Sequence, residues 1–281
     1  MKAHVWGCRG SLAAPGPETV RYGGNTSCVE IRTGDGSLVV LDAGTGIRPL
    51  GLAVGVARAQ TIHLLLTHLH LDHIEGLGFF APIWSPTTTL HIWGPHAPGR
   101  TLEQRILQYF SPPLFPVPLS AIPAELVFHE VHDAETWEIG SLQVRAQLVI
   151  HPGPTLAFRL EEEGRSFAYV PDHEPARDAD VALAPPEIVS GYGLAAGADL
   201  LFHDGQYTAE EYSHRIGWGH SAFTDAVQFA RAADVGRLVL FHHDPNHTDA
   251  ELDEILFLAR AGTWGLADEI TLAYEGMEIQ P

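Results

Sequence analysis

The stretch LLLTHLHLDHIEGL, residues 64–77, crowds His68, His70, Asp72 and His73 into six positions directly after an apolar run. Imidazole nitrogens and carboxylate oxygens are ligands of divalent cations, so metal binding is the chemistry these residue types offer. In extended backbone alternate side chains point the same way, so His68 and His70 can reach one ion. Asp72 and His73 follow where a helix is expected to begin, which turns them toward a neighbouring position. The stretch can therefore hold two ions side by side. Ligand type alone leaves zinc, iron and manganese open.

The elements around the motif must present it at a strand end. TIHLLLT (61–67) is a continuous apolar run that reads as a strand buried on both faces. KAHVWG (2–7), VEIRT (29–33), SLVVLDAG (37–44) and TTLHIWG (88–94) read as further strands between glycine-rich turns. IRPLGLAVGVARA and TLEQRILQYF read as helices. PPLFPVPLSAIP (112–123) reads as a loop that packs its apolar groups. LVFHEV, LQVRAQLVI, TLAFRLEEE and RSFAYVP form a run of strands from 126 to 171, followed by ADLLFHD (198–204). In the last third, Ser221 is a candidate N-cap for a helix whose apolar face carries Phe223, Ala226, Val227 and Ala230. GRLVLFHHD (236–244) reads as a buried strand. Thr248 and Glu251 form a capping box before a helix with Leu252, Ile255, Leu256 and Ala259, and Gly262 is its expected stop. No fixed-period repeat and no domain boundary is visible.

The chain has 281 residues, 45% of them hydrophobic, which is ample for a large core. Its net charge is −19 and it contains no Lys/Arg-rich block, which argues against sequence-independent binding of long RNA or DNA. A small anionic substrate remains compatible, because bound cations supply local positive charge. Cys8 and Cys28 are expected to be free buried thiols. No apolar leader and no membrane-length span is visible, so a cytoplasmic protein is expected, with no membrane partner. GTG after Asp42 lacks the spacing of a dinucleotide or P-loop fingerprint.

HLHLDH resembles the HxHxDH signature of the metallo-β-lactamase fold superfamily. The similarity extends over nearly the whole chain, from GCRGS (7–11) and YGGNTSC (22–28) to the last strand and helix. The resemblance implies an α/β fold: a four-layer αββα sandwich in one domain spanning 1–281. It also implies a ligand set. His68, His70 and His151 (in VIHPGPTLAFRLE) would hold one metal. Asp72, His73 and His242 (in LVLFHHDP) would hold a second, and Asp172 (in FAYVPDHE) would bridge them. His243 is the rival for the last position. Asp42 is expected to support the ligand loop rather than bind metal.

The segment GWGHSAFTDAVQFARAADVGRLVLFHHDP resembles the phosphodiesterase branch, which includes tRNase Z and PhnP-type enzymes. There His220 would sit beside the metals. His203 and Asp204, in DLLFHDGQYT, are either part of that site or structural. The role of His173 is open. The missing export signal, the histidine at position 70 and the short C-terminal region separate the chain from class B β-lactamases, flavo-diiron enzymes and glyoxalase II-type thioesterases. His151 and Asp172 lie 21 positions apart, too few for the long arm of tRNase Z.

The implied activity is hydrolysis of small phosphodiesters such as cyclic nucleotides by two divalent ions, zinc foremost and manganese or iron as alternatives. Two such ions, less Asp72, Asp172 and a hydroxide, leave a core charge of about +1, enough for one diester anion. Asp72 would orient the nucleophile or take its proton, and His220 would protonate the leaving alkoxide. Trp218, Phe79, Phe80, Trp84 and Tyr207 are candidates for a base-stacking pocket or for the core. The competing readings are a thioesterase or lactonase, a tRNase Z-like ribonuclease, and a non-catalytic nucleotide-binding module. Homo-oligomers are common among similar enzymes.

Overall fold

Two patterns of apolar residues build the sheets. Where apolar and polar residues alternate, as in LQVRAQL, the strand buries one face; where the run is continuous, as in LVVL, it buries both. The computed structural model describes residues 1–57, 59–176, 181, 184–261 and 269–281.

The first half of the chain supplies β1 (Lys2–Gly7), β2 (Cys28–Arg32), β3 (Leu38–Leu41), β4 (Gln60–Leu65), β5 (Thr88–Pro95) and β6 (Glu125–Val131). The second supplies β7 (Thr136–Ile139), β8 (Leu142–Leu148), β9 (Leu156–Glu162), β10 (Arg165–Val170), β11 (Leu200–Asp204), β12 (Leu238–Phe241) and β13 (Ile270–Leu272), and β14 (Glu278–Ile279) returns to the first sheet. The sheets run β14-β1-β2-β3-β4-β5-β6 and β13-β12-β11-β10-β9-β8-β7. Strands β3 to β6 are parallel to one another, as are β10 to β13. The helices are α1 (Ile47–Val54), α2 (Leu71–Ile74), α3 (Leu102–Tyr109), α4 (Tyr192–Ala195), α5 (Ala209–Ser213), α6 (Phe223–Ala232) and α7 (Asp249–Ala261).

Three apolar clusters mark the three interfaces of a four-layer αββα sandwich. One joins both sheets, through Val29, Leu41, Phe158, Tyr169, Phe202 and Phe241 among others. A second packs α1 and α3 on the first sheet through Ile47, Leu50 and Ile106. The third packs α6 and α7 on the second sheet through Phe229, Ala230, Leu252 and Ile255. Burial of these groups is the main favourable term in folding.

The expected capping box precedes α7: Thr248 N–H donates to Glu251 Oε2 at 2.7 Å and Glu251 N–H to Thr248 Oγ1 at 3.3 Å. Gly262 lies outside the described residues. Ser221 does not cap α6. That helix starts at Phe223 with Ala222 at its N-cap, and the Ser221 hydroxyl donates to the His173 carbonyl at 2.5 Å. Both cysteines are free and buried. Among the described residues no helix is long and apolar enough to cross a membrane.

Phe202 is fully buried between the sheets. Phe202→Ala should cost about 3–5 kcal/mol, read as a lower urea midpoint at unchanged slope. A loss below about 1 kcal/mol would show that this interface tolerates a cavity.

Candidate metal centre

Both halves of the sandwich deliver side chains to one edge. The ligand-bearing segment 67–73 follows β4, Asp42 follows β3, Asp172 follows β10, Asp204 ends β11 and His242 follows β12. His151 lies between β8 and β9. Four overlapping groups of potential ligands result: His68, His70 and His151; Asp72, His73, Asp172 and His242; His151, Asp172 and His220; and Asp204, His220 and His242. All except His70 are buried.

The imidazoles are oriented from behind. His73 Nδ1 lies 2.9 Å from Asp42 Oδ2, His151 Nδ1 2.8 Å from the Gly219 carbonyl and His242 Nδ1 2.9 Å from Gln206 Oε1. The Thr67 hydroxyl donates to Asp42, leaving its oxygen to accept from His68 Nδ1 at 3.1 Å. Each ring thus spends its Nδ1–H on an oxygen and turns an Nε2 lone pair inward. His70 presents the other nitrogen: its Nδ1 lies 3.1 Å from His151 Nε2.

Asp172 stands at the convergence. Its Oδ1 is 3.0 Å from His73 Nε2, and its Oδ2 is 3.3 Å from His242 Nε2, 3.7 Å from His151 Nε2 and 3.8 Å from His68 Nε2. Asp72 Oδ2 is 3.2 Å from His242 Nε2 and 3.4 Å from His73 Nε2, and accepts the Ser11 N–H at 2.7 Å. Lone pairs therefore face lone pairs throughout. His68 Nε2 and Asp172 Oδ1 are buried without a hydrogen bond; the 3.0 Å approach of His73 to Asp172 lacks bonding geometry. Such an array is repulsive unless positive charge enters it, and divalent cations fit the donor set.

Titration behaviour follows the same logic. Burial opposes charge on His73, but Asp172, Asp72 and Asp42 outweigh it and hold its pKa well above the ordinary value. Burial pushes His68 well below the ordinary value and His151 down to about 4, so both keep free lone pairs.

His220 lies at the rim. Its Nδ1 is 2.7 Å from Asp204 Oδ2 and 4.0 Å from Asp172 Oδ2, and its ring stacks on His242 at 5.0 Å. Burial lowers its pKa, but Asp204 chiefly, with Asp172 and Asp72, brings the net shift upward. Asp204 also accepts the N–H groups of His173, Gln206 and Ser221, so it organises the loop. His203 turns away, with Nε2 2.9 Å from His173 Nδ1 and Nδ1 2.8 Å from the Asp204 carbonyl. His243 also points outward, to the Ala273 carbonyl at 2.9 Å. Of the five aromatics, Phe80 belongs to the core and Tyr207 is buried edge-on to His220 at 5.9 Å, while Trp218, Phe79 and Trp84 are exposed.

Ser11, Glu174 and Gln206 carry no motif that singles them out. Glu174 accepts N–H groups from Gly217 and Gly219 and the Tyr212 hydroxyl, fixing the loop that bears His220. Two glycines mark close approaches that a sequence reader can suspect but not assign. A Cβ on Gly10 would come within 2.3 Å of the His242 ring, and one on Gly219 (φ +87°) within 2.6 Å of His151 Nδ1.

This sandwich with its histidine–aspartate edge is the architecture of a metallohydrolase. Residues 38–243 match the model of the β-lactamase superfamily domain, and the chain belongs to that superfamily. A ribonuclease Z from Mycolicibacterium gilvum is 30% identical over 270 residues, covering 88% of this chain and 86% of the relative. The fold matches human tRNase Z, short form, with a TM-score of 0.68 at 21% identity, over 100% of this chain and 99% of that one. It matches a diphosphatase of the PhnP family with a TM-score of 0.69 at 20% identity, over 99% and 97%. These matches put the chain on the phosphodiesterase branch.

Asp42→Asn keeps a residue type that tolerates the positive φ of this position (60°) but weakens its hold on His73. Metal affinity should fall about 10–100-fold in competition with a chromophoric chelator, at unchanged far-UV circular dichroism. Unchanged affinity would remove Asp42 from the orienting shell.

Proposed function

We propose that the chain is a dinuclear, metal-dependent phosphodiesterase acting on small phosphodiesters such as cyclic nucleotides. The observation that carries this reading is Asp172 standing between two histidine-rich ligand groups, with the His220–Asp204 pair at their rim. His68, His70 and His151 would hold one ion, Asp72, His73 and His242 the other, and Asp172 would bridge them. Zinc is the ion we propose; manganese and iron suit the same donors. Bound, the ions supply Lewis acidity toward phosphoryl oxygens and lower the pKa of coordinated water.

The chain's own residues supply the rest. Asp72, steadied by the Ser11 N–H, faces the same space as His242 and orients the attacking water or accepts its proton. His220, held by Asp204, offers its remaining ring nitrogen to the leaving alkoxide as general acid. Burial of the ligands limits bulk water and strengthens every electrostatic interaction inside.

The names of the relatives favour a second reading, in which the diester lies in RNA. Against it stand the net charge of −19 and the tight turn joining β9 to β10 where an arm would emerge. Hydrolysis of bis(p-nitrophenyl) phosphate and of cyclic nucleotides, beside a structured RNA with a 3′ extension, decides between them. Diester cleavage abolished by chelator, with little RNA processing, is expected. Efficient RNA cleavage with inert small diesters would reverse the assignment, and cleavage of p-nitrophenyl thioesters or lactones alone would overturn both.

His220→Ala should lower turnover by about 10²–10⁴ while elemental analysis finds the metal content kept; joint loss of metal and activity would refute the acid role. His151→Ala and Asp172→Ala should each lower bound metal, and full occupancy in either would refute the ligand set.

A further inference from the structure

A cavity of about 680 Å³ opens beside the metal-binding loop, and its wall includes Leu69 and Leu71, the residues on either side of His70. That volume lies in the range of small-molecule sites. Leu71 and Leu114 leave much of their apolar surface in solvent, at 63% and 71% exposure. The Tyr109 hydroxyl is tied to the Glu75 carbonyl, so its ring is the part left to form the wall. The charge of the lining is unusual for this chain. Arg100 and Arg105 line it and no carboxylate does, although acids outnumber Lys and Arg by 35 to 16 overall. Arg105 is engaged, donating to the Pro95 carbonyl at 2.5 Å and pairing with Glu130 Oε1 at 3.6 Å, so Arg100 is the cation left to a ligand. Arg100 is exposed and, among the described residues, forms no hydrogen bond or ion pair.

We infer that this cavity is a substrate subsite for the nucleoside monophosphate arm of a linear diester, such as a 5′-phosphorylated dinucleotide. This rests on the phosphodiesterase reading above. The base would lie against Leu71, Leu114 and the Tyr109 ring, a mode that tolerates any base because each has a π-face. The terminal phosphate of that arm would meet Arg100, whose planar fork suits phosphate. Position supports the assignment: His70 is the exposed ligand of the proposed centre, and its two chain neighbours form part of the cavity wall.

The test separates the subsite from the chemistry. Titration calorimetry of the metal-loaded full chain, with adenosine 5′-monophosphate and with adenosine, reads the subsite without turnover, because neither is a diester. AMP should bind about tenfold more tightly than adenosine, and Arg100→Ala should erase that difference. Leu114→Glu, at an exposed position, should abolish AMP binding by adding a carboxylate. In the metal-loaded enzyme, the preference in kcat/KM for the dinucleotide pApA over ApA should fall about tenfold in Arg100→Ala. AMP binding that is absent, or unchanged in Arg100→Ala, overturns the subsite. Binding as expected with no diester hydrolysed by the wild type keeps the subsite and overturns the phosphodiesterase reading.

Discussion

The crowding of acceptors around Asp172 is the constraint that organises this protein. Four imidazole Nε2 atoms lie within 3.8 Å of a carboxylate that is itself buried. Such a cluster cannot persist in a low-dielectric interior without positive charge. The rear hydrogen bonds remove the easiest escape. Asp42, Gly219 and Gln206 each occupy an Nδ1–H, so the rings cannot relieve the repulsion by flipping without losing a buried bond. The site is pre-arranged for cations.

That arrangement explains features of the backbone that otherwise look unfavourable. Asp42 and His242 both adopt left-handed conformations, at φ 60° and 61°. Residues other than glycine rarely do so, although Asp and His tolerate it better than most. Each ends a strand at the site edge, and the turn swings its side chain into the gap between the sheets' ends. The two ligand groups also draw on both sheets: the 67–73 segment from the first, His151, Asp172 and His242 from the second. Bound ions would therefore staple the two halves together, so metal binding and folding stability are linked.

Legibility in the sequence followed physical locality. HLHLDH was readable because five of its features, the strand, the alternation, the turn and two ligand pairs, fall within a dozen residues. The long strands were readable from continuous or alternating apolar runs. β7, β13 and β14 were not, being two to four residues long and dependent on a neighbouring strand for their definition. His242 and His243 are indistinguishable by type; the positive φ at His242 separates them, and that is a property of the folded loop. Ser221 has the composition of an N-cap, yet Asp204 and the His173 carbonyl claim its backbone and hydroxyl. Tertiary partners outweighed a local preference worth only about 1 kcal/mol. Ser11, Glu174 and Gln206 act through distances of more than thirty residues in the chain, which no local pattern encodes.

The electrostatics point to how such an acidic chain selects its substrate. A net charge of −19 opposes the approach of an extended polyanion, and that repulsion grows with the number of phosphates brought near. A small diester meets the field only once and then reaches a region where it reverses. Two divalent ions would reverse it at the centre, and Arg100 would do so next door, where Arg105 is paired with Glu130 and no acid is in the lining. On the proposed reading, discrimination against long nucleic acid would arise from the surroundings rather than from the catalytic groups. The same ligand set could therefore serve a ribonuclease in one chain and, on the proposed reading, a small-molecule phosphodiesterase in this one.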